Sequence, residues 1–584
     1  MYKNNIKNIL AVSLFAFSFV VTTGVNAKAS IIKQQSAIYS SYQIAQPYWA
    51  EHGMVSSQEA MATDVGVAIL KQGGNAVDAA VAVGFSLAVT YPRAGNIGGG
   101  GFMMVYIAKE KKTIAIDYRE MAPAAAHKDI FLDENGDVDN QKARFHGLSS
   151  GVPGTVMGLE LALKKYGTMT LAQVMQPAIE QAEKGIVVTP DLSHSLSTMK
   201  NRLSRWQSTR DIFYKNKGQP LEVGQYLYQP ELANSLKMIA KQGSKGFYQG
   251  TTASKIVAAI QEAGGVMTVA DLANYKAKIR QPIVGNYHGY EVISMPPPSS
   301  GGTHLVQILN TLESFPIDQW GHNSADTIHV MAEAMKRAYA DRSEYLGDDD
   351  YVSVPIKALT NKAYASSIAQ HIDIKQATAS ELIKPGRLAP YESPQTTHFS
   401  VVDKWGNAVA NTYTLNFSYG SGLVASGTGI LMNNEMDDFS SKPGTPNGYG
   451  LLGGTANAIE PNKRPLSAMT PTIVLKDGEL FLVTGTPGGS RIITTTLQIV
   501  LNVIDHQMNI AEATNATRIH HQWFPDEIRI ERGLSLDTVK LLKAKGHKIN
   551  LKPAMGSTQS IMKTHHGLFG ATDPRSRAGK VSGY

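Results

Sequence analysis

The sequence predicts a layered α/β protein with antiparallel sheets. Three observations carry this. Two pairs of strand-like segments are each joined by a tight turn: "THFSVVD" and "NAVANTYTLN" around "KWGN", and "PTIVLKDGELFLVTG" around "KDG". Segments with helical spacing lie on either side of both pairs. Hairpins join the strands, not strand–helix–strand crossovers, and hairpins connect antiparallel neighbours. With 584 residues, 43% of them hydrophobic and 18% charged, the chain can bury a large core, as two or more domains or one large layered unit.

At the N-terminus, Lys3 and Lys7 precede an apolar run from Ile9 to about Val21, followed by the small-residue site Val25-Asn26-Ala27. This pattern predicts a secretory signal over residues 1–27, cut after Ala27, and is too short for a comfortable membrane span. Residues 54–70 and 73–89 read as two helices, the second apolar nearly all round and therefore buried. Four glycines, Gly98–Gly101, lead into a strand. A second strand, "KTIAIDYREMAP", ends in a charged tip at Asp117, Arg119 and Glu120. From about 153 to 290 the pattern is mostly helical, as in "TVMGLELALKKYG" and "ASKIVAAIQEAGG", each closed by glycine. "SMPPPSSGGTHLVQILNTLES" reads as a rigid loop feeding a helix, and "SADTIHVMAEAMKRAYADRSEYLGD" as a long amphipathic helix with a Ser/Asp start. Residues 381–395 are rich in breakers. The period then switches to two, through both hairpins, before "GGSRIITTTLQIVLNVI" begins a glycine-led helix.

Several chemistries drop out. With no cysteine there is no disulfide framework, thiol nucleophile or thiolate metal site. The formal charge is +7, but Lys and Arg are scattered and form no basic run of the kind that tracks nucleic acid. The adjacent histidine pairs, 520–521 and 565–566, would point to opposite faces of a strand, and H-E-x-x-H is missing, so no metal is expected. Gly98–Gly101 lacks the Lys-Ser/Thr end of a phosphate loop and reads as a close backbone approach. "GLSSG", residues 147–151, fits the letters of a serine-hydrolase elbow but not its strand–turn–helix context, and reads as a loop.

What remains is suggestive piece by piece. In "TGTPGGSR", Gly488 and Gly489 could aim N–H groups at an oxyanion, or simply turn a strand into a helix. Glu435 and Asp438 fit a cation site or a solvated turn. Arg119 fits a carboxylate clamp or a structural ion pair. Thr396 opens the first hairpin. A threonine hydroxyl needs a base, and one solution is the α-amino group of an N-terminal threonine, with an ordinary pKa of about 7.7–8.0. Thr396 acquires that amine only if the bond after Gln395 is cut.

Taken together, "GGNAVDAAVA", "AGNIGGGGFM", "IDYREMAP", "SMPPPSSGG", "QTTHFSVVD", "NEMDDF", "NKRPLSAMTPTIV", "TGTPGGSRIITT" and "ATDPRS" closely resemble the γ-glutamyltranspeptidases of the N-terminal-nucleophile hydrolase superfamily, above all the Gram-negative periplasmic members. The resemblance implies a four-layer αββα sandwich. It also implies self-cleavage between Gln395 and Thr396 into a large subunit, 28–395, and a small one, 396–584, that stay together. Thr396 would be the nucleophile, Thr414 would support processing and activity, and Gly488 and Gly489 would form the oxyanion hole. Arg119 and Ser467 would bind the donor's α-carboxylate. Asn416, Glu435 and Asp438 would bind its α-ammonium, and Tyr449 would close a lid. Glutathione is the implied donor, with water or the amine of an amino acid or peptide as acceptor. No cofactor, metal or nucleic acid is implied. One departure stands out: the family's second serine in "PLSAM" is Ala468. The alternatives are a cephalosporin or glutaryl acylase of the same superfamily and, from another class, an exported solute-binding protein.

Overall fold

The computed structural model describes residues 44–215, 218–384, 396–442 and 454–584. The expected signal segment, Gln395 and Tyr449 lie outside the described residues. Two seven-stranded sheets form the centre, and within each every neighbouring pair is antiparallel. The first runs Lys580–Gly583, Met54–Ser57, Thr397–Val402, Ala408–Thr414, Gly100–Ile107, Lys112–Tyr118, Lys278–Arg280. The second runs Tyr48–Ala50, Gly567–Thr572, Gln559–Thr564, Glu479–Thr484, Thr472–Lys476, Tyr290–Ser294, Ile283–Tyr287.

Period two sorts the strand residues into layers. Phe102, Met104, Ala408, Ala410, Ile473, Leu475 and Val483 pack together between the sheets. Their chain neighbours Met103, Val105 and Val409 join the helix Ala76–Thr90 on the outside of the first sheet. Val474 and Leu482 join the helices Gly301–Leu312, Ala325–Tyr345 and Arg491–Ile504 outside the second. The result is the expected helix–sheet–sheet–helix stack. Because both faces of the central strands are buried, even their polar residues, such as His398, Ser400, Asn411 and Thr412, are shut from solvent. Gly98–Gly101 also behaves as expected. A Cβ at Gly99 would stand 2.0 Å from Thr414 O, and one at Gly101 2.4 Å from Thr412 O. The run therefore lets the backbone pass close to its neighbour. Ser149 of "GLSSG" donates to His146 O (2.7 Å) in a single helical turn, in keeping with a loop.

Two expectations need correction. Residues 54–70 are not one helix: Met54–Ser57 is a strand paired with Phe399–Val402, and the helix is Ala60–Lys71. Glu59 marks the break by accepting the N–H groups of Met61 and Ala62 (both 3.0 Å). The span to 290 is also less helical than expected, because Lys278–Arg280 and Ile283–Tyr287 are edge strands with Tyr290–Ser294 beside them.

Candidate active site

Strand register builds one wall of the site. Thr397 pairs with Tyr413, so one step further sets Thr396 opposite Thr414. Thr414 pairs with Gly100, and Gly101 with Tyr118, so Arg119 emerges at the same end of the sheet. Parity then separates the two adjacent threonines. Thr396 shares a face with His398 and Ser400, which bond to Thr412 Oγ1 (2.8 Å) and Gln559 O (2.9 Å) between the sheets. Thr397 shares the helix-facing side with Phe399 and Val401. Accordingly Thr396 is 8% exposed and lines a small cavity, whereas Thr397 is fully buried, away from it.

The walls of this cavity bring together Thr396, Thr414, Arg119, Asn416, Glu435, Asp438, Ser467 and Ala468, with Arg119 far from the rest in sequence. Asn416 holds a left-handed backbone (φ 71°), donates its N–H to Thr414 Oγ1 (2.8 Å), and donates its side-chain amide to Asn434 O (2.9 Å). A non-glycine residue in that conformation is uncommon, and asparagine tolerates it best. Gly488 (φ 140°) and Gly489 (φ 64°) do not line the cavity. They precede the helix Arg491–Ile504, whose Ile492 does.

Glu435 and Asp438 occupy one 3₁₀ turn, Glu435–Asp438, where positions i and i+3 eclipse. Both therefore face Arg119. Its guanidinium donates to Glu435 Oε1 through Nη1 and to Asp438 Oδ2 through Nη2 (2.5 Å), and to the carbonyls of Pro465 and Leu466 (both 3.2 Å). The second oxygens, Glu435 Oε2 and Asp438 Oδ1, are buried without a hydrogen-bond partner among the described residues. Ser467 Oγ accepts the Met469 N–H (3.1 Å) and keeps its own proton to donate. Thr470 cannot stand in for the missing serine, because its hydroxyl donates to Ala468 O (2.6 Å).

Sequence reasoning left one residue without a role. Glu120 is fully buried and ion-paired to Arg119 Nη1 at 3.5 Å. Its only sequence signal was adjacency to Arg119 at a strand tip. Burial pushes its pKa from 4.5 up to about 7 against the pull of Arg119. Burial likewise raises Glu435 and Asp438, with Arg119 again opposing. A carboxyl raised in the fold subtracts no stability below its unfolded pKa and progressively more as pH climbs to its folded value. Glu120→Gln is therefore expected to leave stability at pH 4.5 nearly unchanged and to add about 3 kcal/mol by pH 8. Urea unfolding at both pH values checks this, and an equal effect at both would refute it.

Three carboxylates elsewhere, Asp348–Asp350, are close enough to share a cation. Arg280 Nη1 on Asp349 and Nη2 on Asp350 (both 2.7 Å), with Lys278 on Asp350 (2.6 Å), already supply positive charge there.

The chain is similar to known proteins over most of its length. The family model described as Gamma-glutamyltranspeptidase matches residues 62–584. The glutathione hydrolase proenzyme of Escherichia coli K12 is 60% identical over 540 residues, covering 92% of this chain and 93% of the relative. Among solved structures, the γ-glutamyltranspeptidase of Helicobacter pylori is 44% identical with a TM-score of 0.57, covering 59% of this chain and 97% of the other. A cephalosporin acylase from Bacillus halodurans superposes with a TM-score of 0.81 at 28% identity, covering 95% and 99%.

Proposed function

The chain belongs to the γ-glutamyltranspeptidase family of enzymes, and from that membership we propose that it is a self-processing γ-glutamyltransferase and glutathione hydrolase. One observation carries the reading: a guanidinium ion-paired to two carboxylates stands in the same small cavity as a threonine hydroxyl. Arg119 is ion-paired to the acids that face it. An α-amino acid head group can replace both halves of that pair, its carboxylate taking Arg119 and Ser467, its ammonium taking Glu435, Asp438 and Asn416. The unpartnered oxygens of Glu435 and Asp438 add acceptors for the ammonium protons. This anchoring leaves the γ-carbonyl to reach Thr396.

In the uncut chain the Thr396 nitrogen is an amide and cannot serve as a base. The first reaction is therefore on the chain itself. Thr396 Oγ1 attacks the Gln395 carbonyl, the acyl group moves from N to O, and water releases the ester. The products are residues 28–395 and 396–584, held together by the sheet they share. The freed amine then takes the hydroxyl proton as Thr396 attacks the donor. The Gly488 and Gly489 N–H groups stabilise the tetrahedral oxyanion, and the amine returns the proton to the leaving group. Water or an amino acid amine resolves the γ-glutamyl ester. Tyr449 is assigned to a lid on resemblance alone. The residue 1–27 pattern supports export to the periplasm or medium. Among the described residues no helix is long and apolar enough to cross a membrane.

The competing substrate class is a glutaryl amide, which lacks the ammonium and would leave buried carboxylate oxygens unsatisfied. A site built for a polar group rejects the analogue lacking it by up to about 10⁴-fold. The γ-glutamyl anilide is therefore expected to be hydrolysed at least about 10³-fold more efficiently than the glutaryl anilide. Equal rates would assign the protein to the acylases. Ala468 sets a finer expectation. Restoring a donor to the carboxylate is worth roughly 1.5–3 kcal/mol, so Ala468→Ser should lower the donor KM about tenfold or more. An unchanged KM would show that Ala468 does not face the carboxylate.

A further inference from the structure

The motif "ATDPRS", residues 571–576, has no part in the chemistry above, yet its charged side chains are buried or nearly so. Asp573 Oδ2 accepts the Thr558 N–H (2.8 Å) and Arg518 Nη2 (2.6 Å). Arg575 donates to Glu531 through Nε (2.9 Å) and Nη2 (2.5 Å). Glu531 Oε1 in turn accepts the Met555 N–H (2.6 Å), while Arg518 Nη1 donates to Met555 O (2.9 Å). Two arginines and two acids thus hold the segment 555–558 at both ends.

The middle of that segment grips the glycine turn. Thr486, fully buried, accepts the Ser557 N–H at Oγ1 (2.8 Å) and donates the same hydroxyl to Pro487 O (2.8 Å). Gly556 (φ 71°) fits beneath it, where a Cβ would stand 2.8 Å from Thr486 Oγ1. The second bond matters for direction. Pro487 O and the Gly488 N–H belong to one planar peptide unit, so fixing the carbonyl fixes the N–H that points the opposite way. A hydroxyl can accept one bond and donate another through the same atom, which a methyl group of the same shape cannot.

We propose that Thr486 is a positioning residue for the oxyanion site, tying the turn Gly485–Gly489 to the segment 555–558 that Arg518, Glu531, Asp573 and Arg575 anchor. The proposal rests on the assignment of Gly488 and Gly489 as oxyanion donors. It separates the two roles of a buried threonine: a packing role would survive replacement by valine, and an orienting role would not.

The test uses full-length processed enzyme and a γ-glutamyl anilide. Thr486→Val is expected to lower kcat by about 10- to 100-fold, since misaiming a donor costs part of the 10²–10³ that removing one costs. Donor KM should stay within about twofold, because the head group binds elsewhere. Thr486→Ser keeps the hydroxyl and should restore kcat. A KM rise with kcat intact, no effect, or equal loss in both variants would overturn the proposal. If Thr486→Val does not accumulate as processed protein, Gly556→Ala, which presses on the same hydroxyl, is judged on kcat and KM in the same way. Gly489→Ala completes the comparison. If it lowers kcat while Thr486→Val does not, the clamp alone fails. If it leaves kcat unchanged, the oxyanion assignment fails and the clamp with it.

Discussion

Thr396→Ala is expected to remain one uncut chain and to turn over no γ-glutamyl amide, while Thr397→Ala is cut and active. The contrast follows from parity, because Thr396 opens onto the cavity and Thr397 faces the helix layer. Loss of the nucleophile removes both reactions at once, so the residual rate should fall by a factor of at least about 10⁴. On a denaturing gel the parent should give two fragments, with sequencing finding one that starts at Thr396. Thr396→Ser keeps a hydroxyl and should still process, more slowly. A parent that stays whole while hydrolysing γ-glutamyl amides would remove the need for a free amine and refute the mechanism.

The layers were legible because period two and period 3.6 alternate cleanly along the chain. The two hairpins and the helices Ala76–Thr90, Ala325–Tyr345 and Arg491–Ile504 fall where the pattern puts them. What escaped was short and lacked contrast. Met54–Ser57 is buried on both faces, so it shows no polar–apolar alternation and merges into the helix that follows. The edge strand Lys278–Arg280 has three half-open or exposed residues and no apolar face to announce it. The site was legible as chemistry but not as geometry. Arg119 lies 316 residues from Glu435 and 319 from Asp438, and no local rule joins them. Arg119 alone fits a structural ion pair as well as a carboxylate clamp, and the two acids fit a solvated turn as well as a cation site; burial beside Thr396 removes the solvated reading. Glu120 stayed hidden for a related reason: a glutamate at a strand tip ordinarily faces water, and only the packing shows it sealed behind Arg119.

Arg119 should prove both a structural and a binding residue, and the two losses can be separated. Arg119→Gln leaves Glu120, Glu435 and Asp438 buried around a neutral side chain. Removing one partner of a buried ion pair typically costs about 3–5 kcal/mol. Here the acids can escape by taking up protons, so the cost must depend on pH. Without the guanidinium their pKa values, already raised by burial, rise further. The variant is thus penalised less near pH 4.5, where the unfolded glutamates still hold about half of their protons, and most at pH 8, where folding must hold protons the unfolded chain releases. Urea unfolding should show the stability gap to the parent widening steadily between those values. Arg119→Lys keeps a charge but not the planar fork, so it should recover part of the stability and little of the donor affinity. The double variant Arg119→Gln with Glu435→Gln removes one charge of each sign. It should regain stability at pH 8 while its donor KM stays at least about 100-fold above the parent's, the cost of losing both ends of the zwitterion clamp. If the single variant bound donor as the parent does, the ion pair would be scaffolding only, and the reading of this cavity as an amino-acid head-group site would fall.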